Sequence, residues 1–337
     1  MIHSGLRQLK EHLLYVVAGS LAAGLAFGQV AGSGTLQLLQ AAVVPILFLM
    51  IYPMMINIDL QEIVNVRKHA RAVGASLVIN FGFAPLFAVV LSRLFFDGAI
   101  EYAIGLYFIA LIPTSGMTAA WTGLAGGDLE AALVAMAVNL LAAIAILPAY
   151  LAVLVPADVG FDPTALYRQL AVVIVVPMIA GTLTRRALLR TYGTSGFTRL
   201  KPTFGGLSSL GVMLIVFVAM SLRSSHIVAD PIASAVTVVP LVVFYTGILV
   251  VASAVGRVFL DTERGIALVY ATSMRNLSIA LAIVVAADAI PAAAILPIAL
   301  AYVIQPPLGA VYVHYRRDIV DDGATAREVV SRLLDRN

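Results

Sequence analysis

The chain has 337 residues, 61% hydrophobic and only 12% charged, with a mean hydropathy of +1.00. That composition excludes an ordinary soluble domain and requires an integral membrane protein, with the lipid bilayer as its main partner. A formal charge of +3 does not make a nucleic-acid surface, because the basic residues lie in short loops between apolar segments and form no stripe. No nucleic-acid partner is expected. With no cysteine, disulfides, thiolate metal sites and thiol chemistry are excluded.

Taken in order, residues 1–11 carry Arg7 and Lys10 ahead of a long apolar segment and read as a cytoplasmic N-terminus. Stretches able to cross about 30 Å of hydrocarbon follow at 12–31, 36–57, 71–95, 101–125, 130–155, 165–184, 203–222, 232–257, 263–287 and 289–313. Ten transmembrane helices are predicted, and with them an all-α fold. Of the 21 Lys and Arg residues, 17 fall on the face that holds both termini, Arg93, Arg168 and Arg223 fall on the other, and Arg275 is left inside a span. The positive-inside rule then places both termini, including the tail 314–337, in the cytoplasm of a cell whose plasma (inner) membrane the chain crosses many times.

The two halves resemble each other. Ser92-Arg93-Leu94-Phe95-Phe96-Asp97 leads into the fourth span as Gly256-Arg257-Val258-Phe259-Leu260-Asp261 leads into the ninth. Five spans separate the copies, so they enter the membrane from opposite sides. This predicts two inverted five-helix repeats, 12–155 and 165–313, joined by a linker at 156–164.

Inside the fourth span, Pro113 removes a backbone donor and Gly116 loosens the chain, so the helix should break there. The repeat lays Met274 to Ser278 over Ile112 to Gly116, which puts a second break in the ninth span. Irregular backbone at membrane depth survives only inside protein or beside a cavity. Paired breaks in corresponding positions point to a binding site where half-helix N-termini present unpaired N–H groups.

Arg275 is the most informative residue, since a permanent charge inside a span costs at least about 2.5–3.5 kcal/mol. Either it faces an anionic solute, or it is a structural charge satisfied by carbonyls exposed at the break. Thr114 and Ser115 could cap the second half-helix and line the same cavity. Thr118 could join them, although hydroxyls in spans often bond the carbonyl one turn back. Asn139 and Asn276 are candidates for solute binding or for interhelical bonding, and Ser278 follows in the same patch. Gln305, ahead of Pro306 and Pro307, reads as a group that satisfies a broken helix. Enzyme signatures such as H-E-x-x-H, G-x-S-x-G or a Walker loop are missing, the five histidines are scattered, and no enzyme activity, metal or cofactor is expected beyond H+ or Na+ as a coupling ion.

Three motifs carry a family resemblance: Phe48 to Met55, Pro113 to Trp121, and Ser273 to Ala280. They resemble the bile acid:sodium symporter superfamily and, within it, the arsenical-resistance branch of arsenite-efflux transporters. The resemblance implies a panel and a core domain, with the fourth and ninth helices broken and crossing at the site. It also marks departures. Thr114 stands where arsenite-efflux members carry a cysteine, and Ser278 where they tend to have a glutamate. Ala271 and Arg275 stand where sodium-coupled members have a glutamate and a glutamine.

The expected function is a secondary active transporter moving a small anionic or metalloid solute by alternating access. Arsenite or antimonite held by Thr114, Ser115 and Asn139 stays open, as do sodium-coupled bile acid or organic anion symport and a passive channel or sensor that has lost ion coupling. Oligomeric state is left open.

Overall fold

The computed structural model describes residues 13–155, 162–229, 236–286 and 290–316, and it contains no β-strand among them. The predicted N-terminal segment, most of the linker and most of the tail lie outside those residues, as does the predicted boundary near Ala287 between the last two spans. The chain is an all-α membrane protein. Six helical stretches are each long and apolar enough to cross a bilayer, and one of them, Val176–Leu222, has 47 residues. At 1.5 Å per residue it would span about 70 Å, too long for one pass. Gly193, at φ 65° and ψ 178°, breaks it.

We label the helices α1 (Leu13–Val30), α2 (Ser33–Asn57), α3 (Ala70–Phe95), α4 (Ile100–Leu111), α5 (Met117–Leu124), α6 (Leu129–Leu154), α7 (163–192), α8 (194–229), α9 (Val238–Phe259), α10 (Thr262–Ser273), α11 (Leu277–Ala286) and α12 (Ile295–His314). Aspartates start three of them: Asp128, Asp162 and Asp261 accept hydrogen bonds from the backbone N–H groups of Ala131, Thr164 and Arg264, satisfying donors that a helix start leaves unpaired. A π-helical turn, Ile79–Phe83, precedes Pro85 in α3. Proline cannot donate to the carbonyl four residues back, and the Tyr150 hydroxyl donates to that Phe81 carbonyl instead.

Helices α1, α2, α7 and α8 pack on one another, and α3 to α6 pack with α9 to α12. The first group is joined by backbone approach. A Cβ on Gly24 would lie 2.6 Å from the Phe217 carbonyl oxygen, and one on Gly28 would lie 2.2 Å from that of Ser221. Four residues apart, these glycines form the small-xxx-small face that brings membrane helices close where no hydrophobic effect drives them together. Gly28→Leu is therefore expected to force α1 off α8 and lower stability by about 1–3 kcal/mol, read as a drop in the thermal unfolding midpoint of the purified protein. Polar ties add to this group: Asp59 pairs with Arg185, and the Tyr52 and Thr184 hydroxyls lie 2.7 Å apart.

Candidate functional site

Helix α4 stops at Leu111 and α10 stops at Ser273; the two have 12 residues each, start 162 positions apart and end 162 positions apart. Past each end the backbone leaves the helical conformation, and the two segments meet. Thr114 and Arg275 form an antiparallel bridge. Ser115 N–H donates to the Met274 carbonyl at 2.8 Å, and Asn276 N–H donates to the Pro113 carbonyl at 3.1 Å. Each break thus satisfies donors and acceptors that the other break exposes, which is how irregular backbone persists in an apolar surrounding. Beyond the bridge α5 and α11 begin, so two helix N-termini lie beside the paired segments.

The side chains sort into those already engaged and those with capacity left. Ser115 Oγ accepts from Met117 N–H at 3.2 Å, a turn just ahead of α5, whose N-cap position is Gly116. Nor does Thr114 cap α5: its hydroxyl, 2% exposed, donates to the Met136 carbonyl on α6. Thr118 does not bond within its own helix either, because its hydroxyl donates across to the Tyr270 carbonyl at 3.2 Å and ties α5 to α10. Asn276 Oδ1 accepts from Ile279 N–H at 3.2 Å and so caps α11, while its Nδ2 points at Met54 Sδ on α2. Ser278 Oγ receives the Tyr302 hydroxyl at 3.0 Å from α12. Asn139 sits in a separate polar network: its amide donates to Ser76 Oγ and the Ala135 carbonyl and accepts from Asn80, which also donates to the Ala271 carbonyl. That network joins α3, α6 and α10, the interhelical reading of this residue.

Arg275 is held at its backbone and open at its head. Gln305 on α12 clamps its peptide groups, accepting from the Arg275 N–H at 2.9 Å and donating to the Arg275 carbonyl at 3.2 Å. The guanidinium, 1% exposed, donates from Nη1 to the Ala110 carbonyl at 3.1 Å, one of the acceptors that the end of α4 leaves over. Nε and Nη2 have no partner, and Cζ stands 5.8 Å from the Phe244 ring centroid. Among the described residues no Asp or Glu pairs with it. Arg275 therefore takes one carbonyl from the break and keeps two charged donors unmet.

Sequence reasoning passed over Tyr245, whose buried hydroxyl is also unpartnered, and Tyr302; an isolated tyrosine in an apolar run carries no signal of its own. Gln305 could be found beside its two prolines, but α12 runs unbroken through them, and the break that Gln305 satisfies is the one at Arg275. Pro113 and Gly116 mark the fourth-span break where α4 ends and α5 begins.

Known proteins share this chain's pattern. The model of the sodium bile acid symporter family matches residues 44–230, more than half of the chain. The arsenical-resistance protein Acr3 of Alkaliphilus metalliredigens (strain QYMF) is 26% identical over 258 residues, covering 71% of this chain and 72% of the relative. Acr3 of Corynebacterium glutamicum is 24% identical over 213 residues, covering 60% of this chain and 57% of the relative. The family match runs across the first broken helix: the chain belongs to the sodium bile acid symporter family, whose members are transporters and not enzymes, and is a membrane transporter.

Proposed function

We propose that the chain is a secondary active transporter of a small anionic or metalloid solute in the plasma (inner) membrane, working by alternating access. The observation that carries this reading is the pairing of two helix breaks at Thr114 and Arg275, with a buried guanidinium beside two helix N-termini. Ten spans in two inverted repeats, 12–155 and 165–313, with both termini cytoplasmic, would give the crossing its symmetry. The residue-for-residue match in length between α4 and α10 supports that arrangement. The group of α1, α2, α7 and α8 would serve as the panel, and the remaining helices as the core that moves against it.

In this reading Ser115, Asn276 and Ser278 contact the solute from the break, and Arg275 supplies a fixed positive charge where sodium-coupled relatives would bind a cation. Thr114, Thr118 and Asn139, whose polar groups are already bonded, hold the shape of the site. The names of the relatives point to arsenical resistance. A thiolate grip on trivalent arsenic is impossible without cysteine, so any metalloid must be held through hydroxyl and amide groups.

The test is trans-stimulated counterflow in proteoliposomes with arsenite, a bile acid, a small organic acid and an inorganic oxyanion. Wild type is expected to exchange at least one of them and Arg275→Gln to lose at least about 100-fold in rate, the scale of an interaction with a buried charge. Equal exchange by Arg275→Gln would sink the role of Arg275. Leak without trans-stimulation would favour the channel reading, which the missing carboxylates at Ala271 and Ser278 keep open. In a strain lacking its own arsenic efflux, failure to protect removes arsenite.

A further inference from the structure

The guanidinium of Arg275 has two edges with different neighbours. Nη1 is spent on the Ala110 carbonyl, whereas Nε and Nη2, which form one edge with parallel N–H bonds, have no partner in a fully buried setting. Parallel N–H donors on a rigid plane are suited to hold one anion between them. On α9, the helix facing this part of the crossing, Phe244 brings its ring to 5.8 Å and the adjacent Tyr245, 1% exposed, interacts electrostatically with Arg275 and carries the third unpartnered donor, its hydroxyl.

We propose that these buried donors bind a small monovalent anion of the halide class, held by Arg275 Nε and Nη2 and by the Tyr245 hydroxyl, on the α9 side of the crossing. The chemistry selects the ligand. Guanidinium N–H groups can only donate, so the partner must bring acceptors and no protons. A neutral metalloid hydroxide would bring O–H donors of its own and leave them unpaired. One guanidinium charge is neutralised by one negative charge, and a fully buried setting suits a weakly hydrated monoanion better than a divalent oxyanion. This inference rests on the transporter reading for the ion's role, that of a co-bound counter-ion that neutralises Arg275 until an anionic solute displaces it; the binding itself is read from the donors alone.

The experiment is thermal unfolding of the purified full chain in sodium chloride or sodium bromide against sodium gluconate at equal ionic strength. Wild type is expected to gain several degrees, saturably, as a ligand that binds only the folded state requires. Tyr245→Phe should raise the half-saturating halide concentration about tenfold or more, and Arg275→Gln should abolish the response. Identical melting of wild type in halide and gluconate overturns the proposal, as does an unchanged halide response in Tyr245→Phe. Should Arg275→Gln fail to fold, Tyr245→Phe alone decides. A halide response without trans-stimulated exchange of any solute would leave the ion site standing and remove the transporter reading instead.

Discussion

Gln305→Ala is expected to destabilise the folded protein by about 1–3 kcal/mol, the sum of two net hydrogen bonds. Gln305 is 2% exposed and meets both the N–H and the carbonyl of Arg275. Removing its amide takes one hydrogen bond from each of two buried backbone groups, which keep only their near-neighbour bonds to the Ser273 carbonyl and the Leu277 N–H, and leaves a small void besides. Gln305→Leu fills the void but not the hydrogen bonds, so it should recover only a minor part. The thermal unfolding midpoint of each variant in one detergent measures this, and Trp121 offers a second readout. It is the single tryptophan of the chain and stacks on Tyr270 with ring centroids 6.2 Å apart, so its fluorescence reports on the crossing. An unfolding midpoint for Gln305→Ala equal to wild type would show that another group holds the Arg275 peptide.

Arg275→Met should push stability and function in opposite directions. In halide-free buffer the wild-type guanidinium is buried with one hydrogen bond and no counter-charge, an arrangement that apolar side chains of similar volume commonly improve by about 1–4 kcal/mol. Methionine also adapts to irregular space. The variant is therefore expected to melt at or above the wild-type temperature in gluconate and to lose counterflow entirely. A purely structural arginine would show the reverse: a lower melting temperature from the lost bond to Ala110, with exchange retained. A residue kept at a cost in stability is the pattern of a functional site.

Much of the architecture was legible in the linear order of residues because a bilayer imposes strict rules. Apolar length marks the stretches able to cross, six of which the structure holds as long helices, and proline beside glycine marks the break at Pro113 to Gly116. The second break carries no proline or glycine, and only the alignment of the two halves located it at Met274 to Ser278. Hydroxyl and amide partners were less legible. Thr118 and Thr114 looked like helix-local or capping groups, yet their hydroxyls reach Tyr270 and Met136 on other helices. A bond between groups 22 or 152 positions apart depends on helix rotation and crossing geometry, which no local pattern encodes.

The sequence by itself determined that the chain lives in a membrane, that two of its helices are interrupted, and that one permanent charge lies among apolar residues. Those follow from hydrophobic length, backbone chemistry and the high pKa of a guanidinium, all of which are local. Only the tertiary structure decided that the two interruptions bond to each other through Thr114 and Arg275, that Gln305 holds the arginine's backbone, and that Tyr245 on α9 shares its unpartnered surroundings. The reason is one of range: a buried donor must find its acceptor wherever packing brings one, and packing joins residues that are far apart along the chain.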